Sequence, residues 1–590
     1  MPLFLPDSYS HNSRHPVLSV VKQYYSFSAI TDSTVHASDV VKELSSVPMV
    51  DALRWICTIS SLITSPDGKS SQVQRRWAYD LFPEEWSERI DKQMSDDSQE
   101  PGLIFHRRSI WLVLQLAMLS CRKESSSESG VESSKHVARA CFMANDLVTE
   151  IEAEAEAALS RSDVTEWMVG ALVPTIGIEG GIDFEAIGRA FHLWEYSVSS
   201  PEFTNALATR RLPSFESAFT EKYGVPLGEF LRFCVTLYIR FFGTFLSSPT
   251  NPLLLEVATD EALMKFDDKV RGVSLELISQ SCEELTIKLM RSRHLWPSDV
   301  TPLRERPLIE VERGKYCCPD LGLLTRSCIE RVFFLLQDAY PPSRFREVFG
   351  SLFEAYVNWL LSKVVTVTGK GRILLEAPTF VGTADQAADG ILYWVESAAV
   401  MEYKAGLLTT RQRYAGIPDE LLKGIESKVA TEKKGISQLA KNIARMISGE
   451  NVQVESETFD LSSCRVFYPI LVCFDESLGI HAVTKLLQRR LDAELEKRQV
   501  PSDRVGPLML LSIHDFENFV TAGASLSMEH ILREYGAHLR SQPRDYTATF
   551  SGVLSHKFGS QIDWEKSVPH LAHQELIKEL TIRLGDVPKE

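Results

Sequence analysis

The stretch AADGILYWVESAAVMEYK, residues 387–404, decides how this chain is read. It contains two apolar, β-rich runs, Ala387–Val395 and Ala398–Lys404, joined by a tight turn at Glu396-Ser397. Side chains alternate across a strand, so Glu402 and Lys404 share one face while Tyr403 takes the other. A short turn sets the runs side by side and carries Asp389 towards Glu402 and Lys404. Two carboxylates and an ammonium then converge, with the backbone carbonyl of Tyr403 as a further oxygen. Such a set suits phosphodiester hydrolysis. Hard oxygen ligands hold a divalent cation, the cation polarises a phosphate and acidifies a water, and an ammonium orients the nucleophile or offsets developing charge.

Working outward, Arg344–Val365 has the spacing of an amphipathic helix, with Phe345, Phe349, Phe353, Val357 and Leu360 on one side. Gly369-Lys370-Gly371 reads as a turn and Arg372–Ala377 as a strand. Downstream, Gly435–Ile447 reads as a helix and Arg465–Phe474 as an apolar strand. A helix over Ile480–Lys497 and a strand over Pro507–Ile513 follow. The order from residue 344 is α-β-β-β-α-β, with additions after it.

The spacing of Asp389 from Glu402-x-Lys404, in that element order, resembles the PD-(D/E)XK nuclease superfamily over about residues 344–475. The resemblance implies a restriction-endonuclease-like α/β core in which Asp389 and Glu402 bind Mg²⁺ or Mn²⁺ and Lys404 positions the attacking water. Glu354, on the preceding helix, resembles the extra helix carboxylate of many members and would reach the metal directly or through water. Gln438, on the following helix, resembles the Gln that many members place beside the phosphate. Tyr403 would add its carbonyl to the metal ligands. One departure is visible: Ala388, not Pro, precedes Asp389. The family implies a Mg²⁺-dependent deoxyribonuclease, acting on DNA in preference to RNA, of the kind found in bacterial restriction and antiviral (phage) defence; a cytoplasmic location is expected from the unpaired cysteines instead.

Each residue also has an ordinary structural reading. Asp389 precedes Gly390 and suits a turn. Glu402 and Lys404 suit an exposed ion pair of little energetic weight. Glu354 and Gln438 suit solvated helix faces. Acid-x-Lys triplets recur at Asp267, Glu426 and Glu432, but in helical or loop contexts; only Glu402-Tyr403-Lys404 ends a β-run that follows an Asp-bearing one. His514 follows a strand and reads as a capping or buried histidine.

Residues 1–300 read as a mainly helical recognition or scaffold region, with helical spacing over Val50–Ile63, Ile110–Leu119, Val137–Leu159, Phe184–Trp194, Leu227–Phe245 and Val273–Met290. The Ser- and Glu-rich stretch Lys123–Lys135 reads as a surface loop. Pro302, Pro307 and Pro319 punctuate a short extended region before a helix at Leu324–Gln337. The α+β part then occupies 301–590. A rival reading is a nuclease-fold scaffold, or an effector switched by a protein partner on the helical half. A homo-oligomer stays open, as does the choice between endo- and exonuclease action.

The ten cysteines form no CxxC pair, and adjacent Cys317-Cys318 lacks partners at metal-ligand spacing, so they read as reduced thiols. No apolar run is long and uncharged enough to span a bilayer. The formal charge of −16 argues against a nucleic-acid partner unless positive charge is gathered locally. It is: residues 340–450 hold 14 Lys and Arg against 12 Asp and Glu, a net of +2. Between Ala405 and Arg445 eight basic residues face four acidic ones, which suits a phosphate backbone.

Overall fold

The computed structural model describes residues 24–584 except 65–69, 97–101, 124–129, 160–162, 180–183, 248–254, 292–298, 342–343, 366–372, 415–417, 432–434, 543–544 and 547. The protein is mostly helical, with mixed sheets in its C-terminal part. The turn expected at Gly369-Lys370-Gly371 lies outside the described residues.

A five-stranded sheet organises the C-terminal part. Its strands are β1 (Ile373–Glu376), β2 (Gly390–Tyr393), β3 (Ser397–Lys404), β4 (Val466–Cys473) and β5 (Met509–Ser512). They lie in space in chain order. The pairs β1–β2 and β2–β3 are antiparallel, and β3–β4 and β4–β5 are parallel. The central strands are buried nearly end to end, as a sheet covered on both faces requires. One face (Leu392, Ala399, Met401, Ile470, Val472) packs with Phe349 and Phe353 of helix α2 (Phe345–Val365). The other face (Ile391, Ala398, Val400, Leu471) packs with helices α4 (Pro418–Val429), α5 (Ile436–Ile447) and α6 (His481–Lys497). Val169, Leu172 and Val173 of α1 (Val164–Glu179) join that second core, so the N-terminal half also covers the sheet.

The two halves of the chain share one hydrophobic core that runs from Tyr25 to Leu580. A four-stranded sheet takes Leu255–Glu256 and Ser279–Ser281 from one side of residue 300, and Leu308–Glu312 and Lys315–Cys317 from the other. The C-terminal helix Val568–Leu584 lies against Phe184–Ser199, where Gly188 permits the approach; a Cβ there would meet the carbonyl oxygen of Pro569 at 1.8 Å.

Several local expectations are corrected. Val273–Met290 is not one helix: strand Ser279–Ser281 divides it, and buried Gln280 donates to the carbonyls of Pro302 (2.8 Å) and Arg306 (2.9 Å). Lys123–Lys135 is not all loop, because a helix already starts at Gly130. The helix expected at Leu324–Gln337 widens into a π turn at Ser327–Arg331, which sets Glu330 against Arg304 and Arg413. The run Ala387–Val395 is paired only over Gly390–Tyr393, which leaves Asp389 at the mouth of β2. Helices α3 (Thr410–Tyr414) and α4, and a small sheet of Thr379–Phe380, Val452–Val454 and Glu457–Phe459, are additions that periodicity did not signal. All ten cysteines are free thiols; nine are buried and Cys282 is partly so.

Candidate active site

Strand register brings the acidic and basic residues together. Gly390 pairs with Met401, and the Asp389 amide donates to the Met401 carbonyl at 3.0 Å. Asp389 therefore sits one step beyond the paired end of β2, level with Glu402 in the register, and its side chain reaches on to Tyr403. Its Oδ2 accepts the Tyr403 amide at 2.6 Å. Amide and carbonyl of one strand residue point to the same neighbour, so the Tyr403 carbonyl lies along the edge of β3 that faces Asp389. Glu402 and Lys404 share a face, and Lys404 Nζ donates to Glu402 Oε2 at 3.1 Å. β4 backs both, with Leu471 opposite Glu402 and Cys473 opposite Lys404.

Glu354 belongs to the same electrostatic group: its carboxyl feels Asp389 and Lys404 and bonds to Gln386. Gln438 does not join it. It is half-buried in the first turn of α5, and no hydrogen bond or ion pair links it to the other four. His514 lies on helix Ile513–Ser525, held by Arg189 and Asn518 at 3.1 Å each, away from this group.

Three residues that sequence reasoning missed hold the arrangement. Gln386 Nε2 donates to Asp389 Oδ1 (3.2 Å) and to the Ala388 carbonyl (3.1 Å) while also bonding Glu354, so it ties the two carboxylates together. Asn442, one turn beyond Gln438 on α5, donates to the Gln386 and Ala387 carbonyls and clamps the loop that delivers Asp389. Asn358, one turn beyond Glu354 on α2, accepts the Tyr403 hydroxyl at 2.8 Å. Asn358 was detectable as a polar residue on an otherwise apolar helix face. Gln386 sits in a loop, where sequence carries no periodic signal.

Gly390 is needed for this fit. A Cβ there would meet the Tyr403 hydroxyl at 2.4 Å and Met401 Cε at 3.1 Å.

Three carboxyls face one lysine in a poorly solvated place. Burial, with Asp389 and Glu354 adding repulsion and Lys404 opposing it, pushes Glu402 up to about 8. Burial and Asp389 raise Glu354 to about 7. Burial also raises Asp389, against the pull of Lys404, the Tyr403 amide and Gln386. Desolvation works against the Lys404 ammonium, yet Glu402 and Asp389 hold it above the ordinary lysine range. Glu402 is only 1% exposed, and its Oε1 is buried with no hydrogen-bond partner. Leaving such an oxygen unmatched costs ~1–3 kcal/mol, a cost that a proton, a hydrogen-bond donor or a cation at that oxygen removes.

Among the described residues, no group of three or more His, Cys, Asp or Glu side chains is gathered in a metal-holding arrangement. In this arrangement the Tyr403 amide and Gln386 bond the Asp389 oxygens, and Lys404 bonds one oxygen of Glu402. The donor chemistry is still that of a hard divalent cation, because Asp389 and Glu354 are near enough to raise the Glu402 carboxyl and one Glu402 oxygen has no partner.

No known family model, curated protein or solved structure matches this chain. Among the described residues, no helix is long and apolar enough to cross a membrane.

Proposed function

We propose that this protein hydrolyses phosphodiester bonds of nucleic acid, DNA in preference to RNA, with the PD-(D/E)XK set Asp389, Glu402 and Lys404 at its centre. The observation that carries this reading is the orphaned Glu402 Oε1, buried beside Asp389, Glu354 and a charged Lys404 at the exit of two adjacent strands. Perturbed acids around a lysine are what acid-base and metal-assisted chemistry needs. With the two added helices and the small added sheet set aside, the order of α2, β1, β2, β3, α5 and β4 supports the same reading. Asp389 and Glu402 would hold Mg²⁺ or Mn²⁺, with the Tyr403 carbonyl and Glu354 completing the oxygen set. Such an ion, when bound, supplies charge neutralisation at the phosphate and a more acidic water.

The chain's own groups do the rest. Lys404, 17% exposed at its side chain, points its ammonium at Glu402 and stands where an entering phosphate oxygen first meets the site. Its positive charge offsets the charge that builds on the phosphate as the bond to the leaving oxygen lengthens. Gln386 and Asn442 hold the Asp389 loop so that the carboxylates do not drift. Glu354, whose carboxyl burial and Asp389 push up to about 7 in the metal-free chain, would ionise to join the oxygen set directly or through water. Gln438 remains a candidate phosphate contact, from its place on α5 alone.

Incubation of the full chain with supercoiled plasmid and with single-stranded DNA, with and without Mg²⁺, tests the reading. Wild-type protein should cut only with the metal. Lys404→Ala should lose at least about a hundredfold in rate, equivalent to about 2.7 kcal/mol of barrier. Equal cutting by both proteins, or none by either, contradicts it.

A further inference from the structure

The basic stretch after Lys404 looks different once its partners are known. Arg411 is paired with Glu420, Arg413 with Asp475 and Glu330, and Arg445 with Asp385 and Glu450. Arg413 and Arg445 are largely buried and structural, while Arg411 is paired at the surface. Lys433 and Lys434 lie outside the described residues. Of the remaining lysines, Lys428 on α4 is unusual. It is half-buried and, among the described residues, makes no hydrogen bond or ion pair. Its chain lies over Gly406, two residues beyond Lys404; a Cβ on Gly406 would meet Lys428 Cδ at 3.0 Å and Nζ at 3.5 Å. Burial lowers its proton affinity and repulsion from Arg346 lowers it further, with the Asp475 carboxylate pulling the other way. Arg346 is exposed near the start of α2 and is likewise unpaired among the described residues, whereas its neighbour Glu347 is neutralised by Arg210 at 3.1 Å.

Two cations that repel each other and, among the described residues, make no ion pair, with only Asp475 (already bound by Arg413) pulling on Lys428, leave room for a further anion. α2 carries Arg346 and, eight residues on, Glu354 of the candidate active site. At helical rise that is about 12 Å, a span of a few phosphates along a strand. Gly350 lies between them on that face, one turn from each, and is partly exposed, so no side chain stands there.

We infer that Lys428 and Arg346 form a second seat that grips a backbone phosphate a few nucleotides from the one at Lys404, so that the substrate strand runs along α2 past Gly406. The inference rests on the nuclease reading for the identity of the anion. A phosphate contact of this kind positions the strand and reads no base.

The test is fluorescence anisotropy with the full chain in EDTA, on labelled single-stranded DNA, duplex DNA and RNA of one sequence, across a salt series. Each phosphate contact contributes about 0.7–0.9 to the slope of log K against log salt. Arg346→Ala should lower the slope by about that amount, and Arg346→Ala with Lys428→Ala by about 1.5. Lys428→Arg should restore it. The pair Lys42→Ala and Lys92→Ala removes the same charge from exposed positions in the helical half and should leave the slope unchanged. Arg346 is exposed, so its single variant reads out the seat even where a Lys428 variant folds poorly. Binding and cutting with a slope unchanged in Arg346→Ala and in the double variant overturn the seat alone. Loss of slope in a protein that binds but never cuts with Mg²⁺ supports the seat and contradicts the nuclease reading. Absence of any binding contradicts both.

Discussion

Two buried charge clusters lie within a few residues of each other, and they are built on opposite principles. In the first, Arg304 and Arg413 meet Glu330 and Asp475, two cations against two anions. Burial pushes both carboxyls up, but the arginines more than compensate and hold them below their ordinary values. Asp475 also accepts from the Leu408 amide at 2.7 Å and from Ser477. In the second cluster, Glu354, Asp389 and Glu402 meet one lysine, and all three carboxyls rise. Cys473, opposite Lys404 in the sheet, feels both Asp475 and Lys404. Burial is common to both; balance is not. A balanced cluster fixes structure. An unbalanced one is tolerated where something else, a proton or a cation, completes it.

The comparison breaks most visibly in activity. Lys404→Ala removes the only cation of the frustrated cluster and should abolish cutting while the protein still folds, as circular dichroism and gel filtration would check. Arg413→Ala attacks the balanced cluster and strands Asp475 and Glu330. Breaking a buried pair from one side costs about 3–5 kcal/mol, so its midpoint in a urea melt should fall sharply. Comparable destabilisation by both variants would erase the distinction between the clusters.

Stability against pH sharpens it. Glu402 and Glu354 have folded values near 8 and 7 against an ordinary 4.5, so the metal-free folded protein holds more protons than the unfolded chain. Their stabilising contribution is complete below about 4.5 and is lost as pH rises through about 7 and 8. Glu402→Gln should flatten that decline and leave the metal-free protein more stable at pH 8, on the order of 2–4 kcal/mol after allowing for relaxation. Urea melts at pH 5.5 and 8 would show it; a decline unchanged in the variant would place the strain elsewhere. The smallest effect concerns packing. Gly390→Ala forces a Cβ onto the Tyr403 hydroxyl and should cost about 1–3 kcal/mol. Tyr403→Phe in the same background should recover part of the loss in a thermal melt.

How much of this was legible in the sequence depends on range. The alternation that puts Glu402 and Lys404 on one face is local, and β3 forms over Ser397–Lys404 with that face intact. The turn is equally local but falls one residue earlier than expected, on Val395-Glu396, with Ser397 already opening β3; it sets the register that delivers Asp389. What stayed hidden depends on contacts made far along the chain. Gln280 turns a helical run into a strand by bonding carbonyls 22 and 26 residues away. Glu330 opens a π turn towards Arg304 and Arg413. The basic count over residues 405–445 overstated the free charge, because Arg411, Arg413 and Arg445 are already paired, a fact no composition contains. Gln386 was invisible for the same reason: its role exists only once Asp389 and Glu354 are neighbours.

Whether a divalent cation completes the unbalanced cluster is open to direct measurement by calorimetric titration of the full chain with Mn²⁺ at pH 7, in two buffers of different ionisation enthalpy. The account predicts binding with net proton release, since raised carboxyls must ionise to become ligands, and loss of both in Glu402→Gln and Asp389→Asn. Absence of binding at millimolar Mn²⁺, or binding that persists unchanged in both variants, would contradict it.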